Sequence, residues 1–382
     1  MRELPHDPMT PPPLLLHVFP SFAVGGAQRR MAAVANRLGP AFRHAVIALD
    51  GERAARARLD PALAVAFPDV TLPKRTLLAG PRAAAAALAA LRPDLLVTHN
   101  WGSIEFALAN AWPLRRPLPH VHIEDGFGPE EQGGQLRRRV LLRRLALRRA
   151  VVVLPSRTLC AIAERHWRLP ARRLRYIPNG IDLARFAPPD ASPAAIAEPP
   201  PWPRDLPVIG TVAALRAEKN LARLIDAFAR LPPGAARLAI VGDGPERAAL
   251  AALAGARGVS GHVIFAGATE DTPRAYRNFD VFALSSDTEQ MPLAVLEAMA
   301  SALPVAATDV GDVAAMLDAA NRPQVVARDA AALAGALAAL LADPAAARAI
   351  GAANRARAVQ EFDQARMFAA YAALFGMLCS AP

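Results

Sequence analysis

The sequence predicts an α/β chain built of two doubly wound domains, each a parallel sheet wrapped by helices, facing one another across a central cleft. Three observations support this. Short apolar segments of strand length alternate with longer helical stretches, the pattern of parallel strands joined by helical crossovers. A proline-rich break near residue 200 interrupts the alternation, which then restarts. Several strands run into turns that carry glycine or charged residues, the place where such sheets bind ligands.

The elements follow in order. Leu14 to Phe19 reads as the first strand, with a Gly25-Gly26 turn and a helix from Ala27 to Leu38. His44 to Leu49, Leu95 to Thr98, His120 to Glu124 and Val151 to Leu154 are the next strands. Helices over Arg82–Leu91, Ile104–Ala111 and Leu136–Arg149 separate them. Pro188, Pro189, Pro193 and the run Pro199-Pro200-Pro201-Trp202-Pro203 continue neither element type. We therefore expect a flexible tail over 1–13, a first domain over 14–185, a linker over 186–207 and a second domain over 208–361. In the second domain Val208–Val212, Leu238–Val241, Val263–Phe265, Val281–Leu284 and Pro304–Ala307 read as strands. Asn220–Leu231, Glu246–Ala254, Thr272–Asn278 and Pro292–Ala300 read as the helices between them.

Composition narrows the class of function. A chain of 382 residues with 53% hydrophobic and 20% charged residues has enough apolar matter for two cores and is not a disordered polymer. Its net charge of +10 favours anionic partners. Aromatics at 5% and the lack of a nucleic-acid-binding motif argue against nucleic acid. All but two of the 44 basic residues are arginines, so the lysines Lys74 and Lys219 stand out. Cys160 and Cys379 are too few for a disulfide framework or metal cluster, and a reducing cytoplasm is the expected compartment. No apolar run approaches the ~20 residues that cross a bilayer, and Met1 to Pro13 lacks the apolar core of a signal peptide.

The segment Ser285 to Met299 carries the most chemical information. Glu289 falls in the turn after the Val281–Leu284 strand, and Glu297 falls on the helix opened by Pro292. A helix start at the carboxyl end of a strand attracts anions, and two flanking carboxylates accept hydroxyls. The combination suits a ligand with both phosphate and hydroxyl groups, alongside the plainer reading of one capping and one solvent-facing glutamate. Gly25-Gly26 and Gly242-Asp243-Gly244 are turns where backbone amides can approach an anion, although a third glycine for a dinucleotide fingerprint is missing. Arg216 and Lys219 lie in the loop after Val208–Val212, placed to neutralise a diphosphate or simply to face solvent. Pro178-Asn179-Gly180-Ile181-Asp182 is a turn where the first domain ends.

Taken in order, these segments resemble the GT-B glycosyltransferases of family 4, retaining enzymes often called group 1. The matching stretches are Gly25-Gly26-Ala27-Gln28, Pro178 to Asp182, Arg216 to Asn220, Val241 to Pro245, and Glu289 to Glu297 with seven residues between the glutamates. Phe362-Asp363 through Phe375 resembles the closing helices of the family, expected to cross back and complete the first domain over about 362–382. The resemblance implies a retaining, metal-independent transfer of a sugar from a UDP- or GDP-type donor to a glycan or lipid-linked acceptor, with no cofactor beyond the co-substrate. It implies that Glu297 binds the ribose hydroxyls and that Glu289 holds the transferred sugar. It also implies that Lys219 steadies the leaving diphosphate, that Gly25 and Gly26 contact it, and that Gly242, Gly244, Met291, Pro292 and Leu293 line the donor site.

Two positions depart from the family pattern. Ala214 stands where an arginine is usual, and Arg216 is expected to take over its charge. Asp125 stands where a histidine is usual, and reads either as a group that orients a hydroxyl or as half of an Asp-Gly turn. His99 ends a neighbouring strand and is an acceptor-side candidate or a packed residue, whereas His120 and His122 read as structural. The arginine-rich stretch 137–149 reads as a sheet-covering helix, with peripheral contact to an anionic inner-membrane face as the alternative. A sugar-nucleotide epimerase on the same fold and a non-catalytic nucleotide-sugar-binding scaffold are the rival functional readings.

Overall fold

Apolar runs of four to six residues form strands here because both faces of a parallel sheet are covered, so alternation is not required. The computed structural model describes residues 11–73, 79–111, 117–127, 129–131, 134–188 and 202–380. Most of the tail expected over 1–13 and residues 189–201 of the expected linker lie outside the described residues. The chain divides into two compact units, one of residues 1–178 with 365–382, the other Asn179–Gln364.

In the first unit the strands are β1 (Leu14–Phe19), β2 (Arg43–Ala48), β3 (Val65–Ala66), β4 (Leu95–His99), β5 (His120–Ile123), β6 (Val151–Leu154) and β7 (Leu174–Tyr176). Among the described residues they form one parallel sheet in the order β3-β2-β1-β4-β5-β6-β7. Strand β1 pairs with β2 on one side and β4 on the other, so the winding direction reverses there. The crossovers include α1 (Gly26–Leu38), α2 (Ala79–Leu91), α3 (Ile104–Ala111), α4 (Arg137–Ala146) and α5 (Arg157–Arg165).

The second unit repeats the plan with β8 (Val208–Val212), β9 (Arg237–Val241), β10 (Val263–Gly267), β11 (Val281–Leu284), β12 (Val305–Thr308) and β13 (Val325–Val326). Their order is β10-β9-β8-β11-β12-β13, all parallel, with the reversal between β8 and β11. Helices α6 (Leu221–Phe228), α7 (Arg247–Ala256), α8 (Thr272–Arg277), α9 (Leu293–Ala300), α10 (Val313–Met316), α11 (Ala330–Ala342) and α12 (Pro344–Glu361) cover it. The last helix, α13 (Gln364–Cys379), belongs to the first unit, where Met367, Tyr371, Leu374 and Phe375 pack with Leu15, Val97, Val121 and Val153 of the sheet.

Three expectations are corrected. The boundary falls at Pro178, ahead of the proline run, because Phe186 and Trp202 are buried in the second unit's core; Trp202 stacks on Phe279 with ring centroids 5.4 Å apart. Near the start of the second unit, the Ile181 backbone pairs with Asp363 at its other end. Helix α4 stops at Ala146, not Arg149, and Pro292 is the residue before α9 and not its first turn.

Helix α13 is held by aromatic burial, so Phe375→Ala will cost about 3–5 kcal/mol. Phe375 is fully enclosed and meets Phe42 edge-on at 6.3 Å. The expected outcome is a clear loss of thermal stability in the first unit, read by circular dichroism and by hydrogen exchange confined to that unit.

Candidate active site

In the second unit two loops meet at the carboxyl ends of β8 and β11, where the sheet reverses direction. The first ends in a single helical turn, Ala217–Lys219, stopped by Asn220 in the left-handed conformation at φ 42° and ψ 53°. Asparagine tolerates that conformation, and its side chain then accepts from the Arg223 amide at 3.1 Å to start α6. The turn leaves Lys219 pointing across to the second loop. Its Nζ lies 2.5 Å from Oε1 of Glu289, with side-chain exposures of 26% and 12%. Ser286 Oγ donates to the same Glu289 oxygen at 2.8 Å. The other oxygen, Oε2, accepts nothing from the described residues.

The loops are tied together so that this pair keeps its spacing. Arg223 donates to the Ser285 carbonyl at 2.7 Å and to Asp287 at 2.6 Å. Asn220 Nδ2 donates to the other Asp287 oxygen at 3.0 Å, and the Asp287 amide donates to the Glu218 carbonyl at 2.9 Å. Gly311 (φ 55°) passes so close that a Cβ there would lie 2.4 Å from the Glu289 carbonyl oxygen. Neither the Arg223–Asp287 contact nor Gly311 was legible in the sequence, because each joins segments far apart in the chain.

Glu297 sits on the second turn of α9 and is only 9% exposed. Tyr276 OH donates to its Oε2 at 2.8 Å, which fixes the carboxylate. Met291 precedes the helix and is held by Asn179, whose amide contacts Sδ at 3.2 Å and whose Nδ2 donates to the Met291 carbonyl at 2.9 Å. The Pro178-Asn179 turn is thus a brace for the glutamate loop. Pro292 is buried and Leu293 opens the helix.

Gly242 and Gly244 have a local packing role. A Cβ at Gly242 would lie 1.9 Å from the Ala213 carbonyl oxygen, and one at Gly244 would lie 2.5 Å from that of Leu215. Both glycines let the loop after β9 lie against the loop that carries Lys219. Arg216 is exposed and makes no ion pair among the described residues, and Ala214 beside it is exposed as well.

In the first unit the reversal point lies between β1 and β4. Gly25 caps α1 in an extended conformation, and the helix starts without an acidic residue in its first turn or a side-chain cap. Asp125 grips Arg30 of that helix through two bonds, at 2.5 and 2.8 Å. Burial works against the Arg30 charge, but Asp125 and Tyr371 outweigh it and hold the guanidinium above its usual range. Arg30 escaped sequence reading because an arginine-biased chain hides single arginines. Asn100 Oδ1 accepts from the Asp125 amide at 2.8 Å, so the turn at Asp125 is braced from two sides.

The acceptor-side expectation for His99 is corrected. Its ring is 1% exposed and stacks on Phe19 at 3.7 Å, out of reach of a ligand. His99 begins a buried row in which its Nε2 lies 3.4 Å from His17 and the far nitrogen of His17 lies 3.2 Å from His44. Burial pushes His17 and His99 well below the usual imidazole range, and His44 down to about 4. His120, which shares the Thr98 hydroxyl with His122 at 2.8 Å each, is pushed to about 3 by burial and by His122.

Helix α4 is partly buried, as a sheet-covering helix requires. Arg143 is fully buried, bonded to Glu131 at 3.0 Å through both terminal nitrogens, and its guanidinium lies 5.0–5.3 Å from the rings of Trp101, Phe127 and Trp167. Leu141 and Leu145 on the same helix are exposed, at 56% and 44%. Among the described residues no helix is long and apolar enough to cross a membrane by itself.

Comparison with known proteins gives one consistent result. The family model described as Glycosyl transferases group 1 matches residues 194–357, and Glycosyltransferase Family 4 matches residues 24–185. The lipopolysaccharide core biosynthesis glycosyltransferase LpsE of Rhizobium meliloti is 41% identical over 106 residues, 28% of this chain and 31% of that protein. The GDP-mannose-dependent alpha-mannosyltransferase of Mycobacterium tuberculosis is 37% identical over 136 residues, 35% of this chain and 33% of that protein. The matched stretch thus spans about a third of each of these two curated relatives. Among solved structures, Anabaena HepE in complex with UDP has a TM-score of 0.77 at 21% identity, covering 96% of this chain and all of that one.

Two outcomes follow from the first unit. Arg30→Ala leaves the Asp125 charge largely buried and unpaired, and will cost roughly 3–5 kcal/mol in urea unfolding. The buried histidines set a pH dependence. Unfolded, each ring returns to a pKa near 6.5 and takes up a proton that the folded chain refuses. Stability is therefore complete above about pH 6.5 and falls as pH drops toward 4, by up to about 1.4 kcal/mol per pH unit for each ring. Urea midpoints between pH 7 and 4.5 test this, and His44→Gln should flatten the slope.

Proposed function

The chain belongs to the glycosyl transferases of group 1, on the GT-B fold, and from that premise we propose that it is a retaining glycosyltransferase. It moves a sugar from a nucleotide-diphosphate donor of UDP or GDP type to a glycan or lipid-linked acceptor in lipopolysaccharide, polysaccharide or glycolipid synthesis. The observation that carries this reading is the Lys219–Glu289 contact at the reversal point of the second sheet, with Glu297 fixed on the following helix. The GDP-mannose dependence in the name of one compared relative and the UDP held by a structural neighbour support the same donor class.

The roles follow from charge. Breaking the anomeric bond builds negative charge on the diphosphate and positive character on the sugar ring. Lys219 would turn its ammonium toward the phosphates, and the open Oε2 of Glu289 would accept a sugar hydroxyl. Glu297 would take the ribose hydroxyls. A fixed cation aimed at the leaving group is commonly the largest single contribution to such a rate. Lys219 supplies that charge, so the proposal is metal-independent.

Peripheral membrane contact is the partner reading for α4. Leu141 and Leu145 face out on one side of the helix between Arg137, Arg138, Arg144 and Arg148. Exposed leucines ringed by arginines suit an interface with anionic lipid heads. Cosedimentation with phosphatidylglycerol vesicles that persists after Arg138→Glu/Arg144→Glu would remove this partner.

A panel of UDP- and GDP-sugars in a thermal-shift assay is expected to single out one donor, because a ligand that binds only the folded state raises the melting point. Lys219→Ala should then cut donor turnover by on the order of 10²–10³, while Glu297→Ala should act mainly on donor KM. Addition of EDTA should leave the rate unchanged, and proton NMR of the product should show the donor's anomeric configuration. An epimerised sugar nucleotide as sole product would replace the transferase reading with the epimerase one, and donor binding without any turnover would favour a scaffold.

A further inference from the structure

We propose that Asn100 is a substrate-contacting residue of the first unit, held in a strained backbone conformation so that its amide Nδ2 donates to a sugar hydroxyl. Asn100 follows β4 directly, at the point where the first sheet reverses its winding, the position where open α/β sheets bind ligands. Its φ of 57° with ψ of 176° falls in a region that is essentially reserved for glycine. Such a conformation persists only when its surroundings over-determine it, and they do. The Asn100 amide donates to the Ile123 carbonyl at 2.9 Å, and its carbonyl accepts from the Ser103 amide at 3.2 Å and from Ser103 Oγ at 2.9 Å.

The carboxamide is oriented too. Oδ1 accepts from the Asp125 amide, which leaves Nδ2 as a donor with no partner among the described residues, on a side chain that is only half-buried. The ligand class follows from the local charge. Asp125, whose amide bonds the Asn100 side chain, has its carboxylate matched by Arg30 through a bidentate contact. A neutral corner with a single fixed amide donor suits a sugar hydroxyl and not a phosphate. Strain kept at an unpaired donor, where a glycine would be unstrained, is the mark of a functional position.

This inference rests on the transferase reading, and its test separates the two. Asn100→Gly and Asn100→Ala both remove the carboxamide, but only glycine relieves the backbone. The glycine variant is expected to melt about 2–6 °C above the alanine variant, the reverse of the usual order for an unstrained site. The glycine variant should also lose at least tenfold in turnover of the sugar nucleotide while binding free UDP or GDP as the wild type does. Full turnover in the glycine variant would overturn the proposal. So would a parallel loss of free-nucleotide binding, or an alanine variant that melts higher. If Lys219→Ala abolishes turnover and Asn100→Gly leaves it intact, the inference alone fails. If no sugar nucleotide is turned over by the wild type, the transferase reading fails and this proposal falls with it.

Discussion

An ammonium and a carboxylate 2.5 Å apart, Lys219 and Glu289, are the contact on which the second unit's site depends. The two residues come from loops that leave adjacent parallel strands in opposite directions, and such loops open a crevice at that point. A loose pair at this place would be a surface ion pair of little consequence. Here the surroundings remove the looseness. Asn220 adopts a left-handed turn that ends the lysine loop, Arg223 and Asp287 clamp the two loops, and Gly311 lets a third segment close against the Glu289 backbone. Each feature is ordinary alone, and together they turn two flexible side chains into groups of known position.

The first unit has the same strand plan and a different chemistry. At its reversal point Arg30 is matched by Asp125, and the histidines of β1, β2 and β4 form a buried neutral row. Charge is compensated within the unit, whereas the second unit leaves one oxygen of Glu289 open and Arg216 unpaired among the described residues. The same compensation explains helix α4. Its sequence reads as an arginine-rich sheet-covering helix, and within it Arg143 is enclosed by three aromatic rings and bonded to Glu131. A guanidinium can be buried this way because its faces stack and its edge bonds.

The elements legible in the sequence were those with a strong local signal. Apolar runs such as Val151–Leu154 and Val281–Leu284 became strands with the expected bounds. Strands β3, β7 and β13, of two or three residues, carry too little pattern to read and exist through pairing with neighbours. Helix α11 is apolar nearly all round, so it shows no stripe, and only the helix preference of its alanines and leucines marks it. At the site the loops carrying Lys219 and Glu289, and the helix carrying Glu297, were legible from turn residues and charge. What held them was not: Asn179 bracing Met291, Tyr276 on Glu297 and Arg223 on Asp287 are contacts across more than 20 residues of chain each. The strain at Asn100 was equally hidden, because asparagine after a strand reads as an ordinary turn.

The charge count at the second reversal point also bears on the missing arginine at Ala214. Lys219 is balanced by Glu289, so the pair carries almost no net charge toward a diphosphate. On the proposed reaction, a second cation must come close for the leaving group to be stabilised, and position 214 carries only a methyl group. Arg216 is two residues further on in the same loop, exposed and without an ion pair among the described residues. A guanidinium on a long side chain can cover that displacement and bind phosphate oxygens through two donors. Under the proposed function, the departure at Ala214 would be a relocation of charge along one loop. On that proposal the burden of diphosphate recognition would fall on Arg216 and Lys219 together, with Glu289 released to the sugar as Lys219 turns to the phosphates.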